Sequence, residues 1–562
     1  QALFPPDEFA LEVSGDFDSL LVEGNQLQDI EVMTPERCLA MLSFAPEAFA
    51  NVGLLVFDEC HLLSPSRRIG RALDSMLCLL AFQAAAPDAD LLLLSAMLQN
   101  GDELAAWVEE LTGRPCEPIE LLWKPSRQAR GVVVYRQDVV DTICANALAE
   151  QKRLDTASGT VASTLRKAAK DKLQAQPLVL WGLQHNWRNA MNSHGFSHVT
   201  DGPLALAGRY NGFNVGVTPN ANHTAASIAL NACKTGLKTI VFVNKKADAV
   251  STAKEIAGGL DPVALIPAEE KLLDALALEL GDKRHAIFGE IGFGAVPHNA
   301  SMLRLERKLS EDLFRRASGA KVIVATPTLA QGLNLPAELA ILAGDRRASD
   351  DGTREDLEAH ELLNAAARAG RAGHLANGVV ILIPEPIIPF SSTKTLTPSL
   401  QAALQSVLPE DDRCITVADP LEVVLDRVMQ GHLDDRDVRY TVNRLASLTA
   451  SDGGTITTSN LLVRSLAAFR ARQRAEEKDY MLKVEQLWKE ALRVVAHGPN
   501  ASVLLLASQS GIALDLLDRL RQQILSQIGS LPTSIIGWLD WTLDWLKSDD
   551  ASRADLLIDV RR

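Results

Sequence analysis

Short apolar runs alternate with longer amphipathic stretches in residues 1–135. Four of these runs have the length and composition of strands buried in a parallel sheet: residues 30–33, 52–57, 91–95 and 132–135. Between them, the helical periodicity of residues 67–86 and 102–111 predicts two helices. Such alternation predicts a parallel sheet with helices on its faces, which is the architecture of an α/β fold.

The alternation stops in residues 136–221 and resumes in residues 222–390. The interrupting segment is predicted to be an insertion or linker, mainly helical, because its first half is rich in Ala, Lys and Gln and its second half lacks periodicity. In the second block, strands are predicted at 239–243, 321–325, 339–342 and 378–383. Residues 391–562 contain long amphipathic stretches and predict a helical C-terminal region, in which a winged-helix element is one option. The predicted fold is therefore α/β, with two parallel-sheet lobes followed by a mainly helical region.

Composition narrows the class of protein. A chain of 562 residues and 60.8 kDa has room for several domains, and 47% hydrophobic with 23% charged residues is ordinary for a globular protein. The formal charge of −15 argues against a generally basic nucleic-acid coat, although it leaves room for a local basic channel. Seven scattered cysteines without a Cys-x-x-Cys predict neither zinc nor disulfides, which favours a reducing cytoplasm. No apolar run has the length of a membrane helix, so no membrane contact is expected.

Two adjacent acids directly follow one of the predicted strands. Asp58 and Glu59 come after the apolar run 53–57, and Cys60 and His61 complete the tetrad. A nucleotide hydrolase needs one carboxylate to hold Mg²⁺ and another to position the attacking water, at the carboxyl edge of a sheet. The tetrad predicts such a site, and the alternative is a surface loop that carries two acids and a histidine.

Hydroxyl side chains end two other predicted strands. Ser95 follows the run 91–94 and would lie beside the acids, where it would sense the nucleotide; the alternative is a turn or helix cap. Thr326 opens a stretch that also contains Gly332 and Asn334. Hydroxyls, a close-approach glycine and backbone amides at a helix N-terminus suit a phosphate backbone, while an ordinary strand-to-helix turn remains the alternative.

A pair of arginines ends a predicted helix in the second block. Arg368 and Arg371 are three residues apart on one helix face, followed by glycines. Arginines in that position can neutralise the charge that develops on a γ-phosphate. The alternative is a solvated helix end whose cations complement the helix dipole.

Basic stretches and tryptophans are further candidates for nucleic-acid contacts. Residues 304–321 and 464–474 predict either solvated helix faces or phosphate contacts, with the solvated face favoured. Six tryptophans are predicted to belong to the core rather than to stack on bases: Trp181, Trp187, Trp488, Trp538, Trp541 and Trp545.

In their order along the chain, these stretches resemble the motifs of superfamily-two nucleic-acid helicases of the DEAD/DEAH-box (DExH) kind, and of their Ski-like branch. The resemblance covers about residues 14–383 with one insertion. The matching stretches are residues 14–18 (Thr-Gly-Asp-Tyr in the family), 34–37 (Thr-Pro-Glu-Lys), 58–61 (the DExH box), 95–100 (Ser-Ala-Thr with a trailing Asn), 296–301 (His-His-Ala-Gly), 325–336 (Ala-Thr-Pro-Thr-Leu-Ala-x-Gly-x-Asn-Leu-Pro) and 364–371 (Gln-x-x-Gly-Arg-x-Gly-Arg).

The resemblance implies two RecA-like lobes, ATP and Mg²⁺ as cofactors, and single-stranded DNA or RNA as the partner. It implies that Asp58 binds Mg²⁺, that Glu59 activates water beside the metal, and that His61 links to Ser95. From the second lobe, Arg368 and Arg371 would complete the nucleotide site. The residues implied to grip the phosphate backbone of the strand are Thr34, Arg37, Thr326, Gly332 and Asn334.

The chain departs from the family pattern in several places. Met97 replaces a Thr, Asn299 and Ser301 replace a His and a Gly, and Asn364 and Ala367 replace a Gln and a Gly: these are substitutions within otherwise matching motifs. The 562 residues contain no Gly-x-x-x-x-Gly-Lys-Ser/Thr, the loop that cradles nucleotide phosphates. The chain, which starts at Gln1, is therefore expected to be a fragment of a helicase whose first lobe is incomplete, and hydrolysis by it alone is not expected. The alternative is a non-catalytic nucleic-acid-binding or assembly module that retains a helicase scaffold.

Overall fold

The computed structural model describes residues 11–13, 27–65, 69–95, 98–119, 127–183, 195–281, 288, 292–326, 335, 337–348, 354–356, 377–390, 415–451, 458–497, 501–510 and 514–548. The chain folds into two compact units. The first unit combines residues 1–120 with residues 413–561, and the second comprises residues 121–412. Within the described part of the chain, no helix is both long enough and apolar enough to cross a bilayer.

The strands and helices are numbered in chain order. The strands are β1 (Leu11–Val13), β2 (Ile30–Val32), β3 (Leu54–Phe57), β4 (Asp90–Leu93), β5 (Arg127–Arg136), β6 (Gln174–Ala175), β7 (Leu178–Leu183), β8 (Gly195–His198), β9 (Leu204–Ala205), β10 (Ala207–Tyr210), β11 (Val215–Thr218), β12 (Thr239–Val243), β13 (Ala295–His298), β14 (Val322–Ala325), β15 (Leu339–Ala343), β16 (Arg346–Ala348), β17 (Arg354–Asp356), β18 (Asn377–Ile383) and β19 (Pro389–Phe390). The helices are α1 (Pro35–Phe44), α2 (Ile69–Ala85), α3 (Gly101–Thr112), α4 (Gln137–Ser158), α5 (Lys167–Lys170), α6 (Ala221–Lys234), α7 (Lys246–Ala257), α8 (Pro267–Glu279), α9 (Arg304–Arg315), α10 (Pro420–Met429), α11 (Arg436–Ser451), α12 (Thr458–Leu462), α13 (Leu466–Gln473), α14 (Glu477–His497), α15 (Ala501–Ser510), α16 (Leu514–Ser526) and α17 (Ile535–Ser548). The predicted α/β fold with a helical C-terminal region is confirmed.

In the first unit, the strands form two parallel pairs, β1 with β2 and β3 with β4. Alternate residues of β3 and β4 face opposite sides of the pair. Phe57 is buried and Leu55, Leu91 and Leu93 pack against the core, whereas the other face is exposed. The exposed fractions on that face are 53% for Leu54, 47% for Val56, 41% for Leu92 and 40% for Leu94. The prediction of buried strands is therefore wrong for one of the two faces.

The helical C-terminal region shares a single core with the α/β segment of this unit. Leu73, Leu77 and Trp107 from α2 and α3 belong to the same buried cluster as Leu421 and Leu445 from α10 and α11. Helix α2 is apolar on nearly all sides, and such a helix has to be covered all round. The C-terminal helices provide part of that cover.

A buried ion pair joins α2 to α11 inside this core. Arg444 Nε donates to Asp74 Oδ1 at 2.9 Å, and Tyr440 Oη donates to Asp74 Oδ2 at 2.7 Å. Asp74 and Arg444 are only 4% and 6% exposed. Both carboxylate oxygens of Asp74 therefore have partners, which a buried charge requires.

The arginines of residues 464–474 have a structural role. Arg470 is buried and donates to both carboxylate oxygens of Glu103 on α3, at 2.8 and 2.7 Å. This contact holds the pKa of Glu103 below its usual value. Arg472 pairs with Glu110 on the same helix, and Arg464 donates to a backbone carbonyl at its end. For Arg470, the prediction of a solvated helix face and the alternative of a contact with nucleic-acid phosphates are both wrong.

The tryptophans predicted as core are buried to different degrees. Trp545 is buried, whereas Trp181, Trp488 and Trp541 are half-buried. Trp538 is 37% exposed, and Trp187 lies outside the described residues.

The second unit is built on a larger sheet with the strand order β13-β14-β12-β15-β18-β5-β7-β8. Pairing is parallel from β13 to β5, and β7 and β8 continue the sheet in antiparallel fashion. The central strands β12 and β15 are fully buried, as expected for a parallel sheet covered on both faces. Helix α9 covers this core with Leu309, Leu313 and Phe314, while Lys308 and Arg315 form ion pairs on its outer side.

The strand predicted at residues 132–135 belongs to this second sheet. It forms part of β5, which pairs with β18 from Asn377 opposite Arg127 to Leu382 opposite Val132. The prediction assigns it to the first lobe, because strand periodicity contains no information about the pairing partner. The β18 edge lies some 250 residues further along the chain, so only the folded chain makes the pairing evident.

The interrupting segment contains strands as well as helices. In the described part of residues 137–220, helix α4 is followed by short α5 and by strands β6 to β11. Strand β7 pairs with the free edge of β5, and Gly131 makes room there for the side chains of Val179 and Trp181. The mainly helical prediction holds for the first half of the segment and is wrong for the second.

Removing Asp74 should destabilise the first unit strongly. We expect Asp74→Ala to lower the free energy of unfolding by about 3–5 kcal/mol, because it leaves Arg444 buried without its counter-ion. Urea denaturation measures this loss of free energy, and hydrogen exchange shows whether it is located at α2 and α11. The control is Asp544→Ala, whose exposed pair with Lys547 is worth less than about 1 kcal/mol. Equal effects of the two substitutions would contradict the prediction.

Asp419 makes the stability of the C-terminal helices depend on pH. Its side chain is buried and caps α10, and desolvation raises its pKa to about 6 although Ala467 N and Leu421 N donate to it. A raised carboxyl pKa means that the folded state binds the proton more tightly, so stability is greatest at low pH and falls as pH rises to about 6. Between about pH 4 and pH 7, the free energy of unfolding of the wild type should fall by on the order of 2 kcal/mol relative to that of Asp419→Asn. A flat difference, or one of opposite sign, would exclude this role.

Candidate active site

The parallel pair β3–β4 positions the tetrad that follows β3. Leu94 N donates to Phe57 O at 2.9 Å, and Cys60 N then donates to Leu94 O at 2.8 Å. These two bonds extend the pairing beyond the last strand residues. They bring the chain after Phe57 alongside the chain that enters Ser95.

Glu59 has a left-handed backbone conformation, with φ 54° and ψ 48°. This conformation is unfavourable for a residue with a Cβ and is found mainly where the surrounding structure enforces it. Glu59 N donates to Asp58 Oδ1 at 3.0 Å, which links the two acids locally. Asp58 is exposed, whereas Glu59 is half-buried. The sharp turn therefore separates one solvent-facing carboxylate from one directed toward the fold.

His61 connects the tetrad with the end of the neighbouring strand. Its Nδ1 lies 3.2 Å from Glu59 Oε2 and 3.3 Å from Ser95 Oγ, and the ring is 5% exposed. Because an ionised carboxylate only accepts hydrogen bonds, a protonated Nδ1 donates to Glu59 and lies within reach of the Ser95 oxygen. The histidine thus restrains the Glu59 side chain.

Cys60, the third member of the tetrad, is fully buried. Burial raises the pKa of its thiol to about 12, with the Glu59 charge adding to the effect. A thiol with that pKa stays protonated near neutrality and is therefore a poor nucleophile. The chemistry of the tetrad therefore lies with Asp58, Glu59 and His61.

The carboxylates of the tetrad suit Mg²⁺. Proteins commonly bind this ion through one or two carboxylates, with waters and substrate phosphates completing the shell. Asp58 and Glu59 supply that number, and Asp58 is accessible to solvent. Within the part of the chain that the structure describes, no cluster of three or more His, Cys, Asp or Glu side chains offers an all-protein metal site.

Thr34 and Arg37, which are predicted to contact the nucleic-acid strand, lie at the start of α1. Thr34 caps this helix, its Oγ1 accepting from Arg37 N at 3.3 Å, and its side chain remains partly exposed. The hydroxyl hydrogen of Thr34 is still available as a donor. Arg37 is 7% exposed, so in this conformation its side chain is directed into the first unit rather than toward solvent.

Thr326 lies in the second unit, directly after β14, and is 6% exposed. The sheet register places it beside Asn299 and Val243, because Ala325 is paired with both His298 and Phe242. The other residues predicted for this unit lie outside the described residues: Gly332, Asn334, Arg368 and Arg371.

The carboxyl edge of the second sheet contains polar residues that lie outside the sequence motifs. Asn244 follows β12 and donates to Ala343 O at 3.5 Å, and Asp345 follows β15 and accepts from Glu385 N at 2.8 Å. Gly344 lies between β15 and Asp345 with φ 106°, a conformation that favours glycine. A signal was present in the sequence, because each of these polar residues comes within three positions of a predicted strand end.

One departure from the family pattern has a local structural role. Asn299 replaces a histidine, and its side chain donates to Lys246 O at 3.3 Å and accepts from Ser301 N at 3.0 Å. It therefore ties the end of β13 to the start of α7. The preceding His298 is buried against Glu311 at 3.0 Å, and burial lowers its pKa.

Comparison with known proteins agrees with this geometry. Residues 11–104 match the family model of the DEAD/DEAH box helicase, a range that includes the tetrad and Ser95. The chain is 26% identical over 377 residues to an ATP-dependent DNA helicase Hel308 of Pyrobaculum calidifontis, and 25% identical over 378 residues to one of Methanocella arvoryzae. It is 26% identical over 400 residues to the chloroplastic DExH-box ATP-dependent RNA helicase DExH15 of Arabidopsis thaliana.

These alignments cover 66% of this chain in each case, but only 41%, 40% and 31% of the respective relatives. The chain thus spans about two-fifths or less of the proteins it matches. By its family match and its relatives, the chain is similar to the DExH group of superfamily-two helicases, and the tetrad and Ser95 both lie within the matched range.

Proposed function

We propose that this chain is part of an ATP-dependent helicase or translocase that moves along single-stranded DNA or RNA. The observation that carries the proposal is the position of His61 Nδ1, within 3.3 Å of both Glu59 and Ser95 at the ends of two adjacent parallel strands. This arrangement couples an acid that can act on water to a residue on the neighbouring strand end. The relatives' names include both a DNA and an RNA helicase, so either polynucleotide fits.

Within this proposal, the residues of the tetrad have separate roles in ATP hydrolysis. Bound Mg²⁺-ATP supplies the phosphoanhydride bond to be broken and the cation that neutralises its charge. Asp58, the exposed acid, is suited to hold the metal. Glu59 orients the attacking water and accepts its proton, while His61 holds the Glu59 carboxylate in place. Arg368 and Arg371 are proposed to neutralise the γ-phosphate.

Contacts with the nucleic-acid strand are proposed for both units. The exposed edge at Thr34 in the first unit and the segment from Thr326 to Asn334 in the second would contact phosphates through hydroxyl and amide groups. The buried Arg37 contributes only if it leaves its position in this conformation. Its role in the first unit is therefore proposed as support for α1 rather than as a phosphate ligand.

A second candidate function is a non-catalytic nucleic-acid-binding or assembly module. The observation that favours it is that the 562 residues contain no Gly-x-x-x-x-Gly-Lys-Ser/Thr. Without that loop, the chain contains no recognised cradle for the β- and γ-phosphates of a nucleotide. Measuring ATP hydrolysis by the full-length protein, with and without single-stranded DNA or RNA, separates the two candidates.

Replacement of Glu59 should abolish hydrolysis. We expect Glu59→Gln to reduce single-strand-stimulated ATPase activity by about 100-fold or more, because the amide keeps the size of the side chain but accepts no proton. The control is Glu47→Gln, which makes the same change at an exposed position on the 3₁₀ turn between α1 and β3. Phosphate release by the full-length protein, with and without oligonucleotide, is measured for the wild type and for both variants. Wild-type activity in the Glu59→Gln variant, or no stimulation in the wild type, would refute the catalytic proposal.

Ser95 should support the same reaction through His61. Ser95→Ala removes the oxygen 3.3 Å from His61 Nδ1, and we expect the stimulated rate to fall about 5- to 10-fold, the effect of one lost hydrogen bond. Ser43→Ala is the matched control, since its hydroxyl donates to the carbonyl of Leu39 within α1. If both variants hydrolyse ATP equally fast, Ser95 has no part in the site.

A further inference from the structure

The interrupting segment forms a β-hairpin with an exposed aromatic tip. Strands β10 and β11 pair antiparallel, with Arg209 opposite Gly216 and Tyr210 opposite Val215. Residues 211–214 connect them. Phe213, in this connection, is 80% exposed. A phenyl ring that is this accessible contributes little to the core of its own fold.

The tip is nevertheless held in shape by its own hydrogen bonds. Asn211 Oδ1 accepts from Phe213 N at 3.0 Å and from Asn214 N at 2.7 Å. Tyr210 Oη donates to Gly212 O at 2.9 Å, and Gly212 has a φ of 90° that favours glycine. The backbone at Phe213 is thus held before any ligand arrives, which lowers the entropy lost on binding.

The base of the hairpin packs against a lysine-rich turn. A Cβ on Gly208 would collide with the side chains of Leu165 and Leu173, so β10 lies directly against the segment that contains these two leucines. Helix α5 lies between them and has Lys167 and Lys170 exposed. Arg209 is exposed on the hairpin, opposite a glycine that leaves the surface around it open.

This part of the chain is basic in an otherwise acidic protein. The described residues of 160–218 contain five Lys or Arg and two Asp, in a chain of formal charge −15. The five cations are Arg166, Lys167, Lys170, Lys172 and Arg209. Of the acids, Asp201 is paired with Lys234 at 3.1 Å, and Arg166 is occupied by Asp155 at 2.9 Å. Of the remaining four cations, Lys172 also interacts with Glu150 on α4, whose main partner is Arg153, and Asp171 is the other acid of the described segment.

We propose that Phe213, Arg209 and the lysines at 167, 170 and 172 form a binding site for single-stranded polynucleotide, additional to the strand path of the helicase motifs. Phe213 stacks on a base, and the cations contact neighbouring phosphates. An aromatic platform beside mobile cations is the usual means of binding single strands without sequence preference. The site rests on the proposed function, since it supplies a second contact for the same class of substrate.

The isolation of Phe213 favours a base over a protein partner. In the described part of residues 137–220, Val161 is the other large apolar side chain that is highly exposed, at 80%. A protein interface is built around a contiguous, desolvated group of apolar side chains. One exposed ring among cations, by contrast, is sufficient for stacking.

The test is fluorescence anisotropy of the full chain with labelled oligo-dT and oligo-rU of about 12 nucleotides, a length that spans a site of this kind. Phe213→Ala should weaken binding about 5- to 100-fold, and Phe213→Trp should restore it, because stacking requires an aromatic ring. Arg209→Glu should weaken binding and reduce the dependence of the affinity on salt. The two oligonucleotides report whether the preferred strand is DNA or RNA.

Matched controls separate local from general effects. Leu278→Ala removes a 74% exposed apolar side chain on α8, and Lys271→Glu makes the same charge change as Arg209→Glu on that helix. Thermal unfolding should be unchanged in all variants, since these side chains are exposed. Wild-type affinity in Phe213→Ala, or an equal loss in Lys271→Glu and Arg209→Glu, would overturn this site but leave the proposed function standing. Failure of the wild-type chain to bind either oligonucleotide would overturn both.

Discussion

The parallel register of β3 with β4 is the constraint on which the candidate site depends. Because Leu94 bonds to Phe57 and Cys60 bonds back to Leu94, the chain leaves both strands side by side. Glu59 then turns through a left-handed conformation, and His61 comes to lie between Glu59 and Ser95. A shift of one residue in this register would reverse the direction of every side chain on one strand, and His61 would lose Ser95.

The core of the first unit supports this pair from one side only. Helix α2, which follows the tetrad, is held by the C-terminal helices through apolar packing and through the buried pair of Asp74 with Arg444. Arg470 makes a comparable connection from α13 to α3 through Glu103. The C-terminal region is thus an integral part of the unit that contains the tetrad.

The tetrad and the hairpin lie in different parts of the chain, and the functions proposed for them rest on different chemistry. Hydrolysis depends on groups with defined protonation and geometry, which a sheet edge provides because backbone pairing holds it rigid. The proposed strand site depends on an exposed ring and on cations, which a hairpin within an inserted segment provides without disturbing the sheet. Such a division is physically reasonable, because catalysis requires fixed distances, whereas binding without sequence preference tolerates motion of long side chains.

The α/β class, the helical C-terminal region and the resemblance to DExH helicases could be recognised from the sequence, because periodicity and short motifs are encoded in neighbouring residues. The position of Asp58 and Glu59 at a strand end was predictable for the same reason. The tertiary structure alone decided that β5 pairs with β18, that one face of β3 and β4 is exposed, and that Arg37 and Arg470 are buried. These outcomes depend on which edges and surfaces meet, and the groups that meet lie hundreds of residues apart: Arg470 finds Glu103, and Arg444 finds Asp74. Local patterns hold no information about such partners, so they become visible only once the chain has folded.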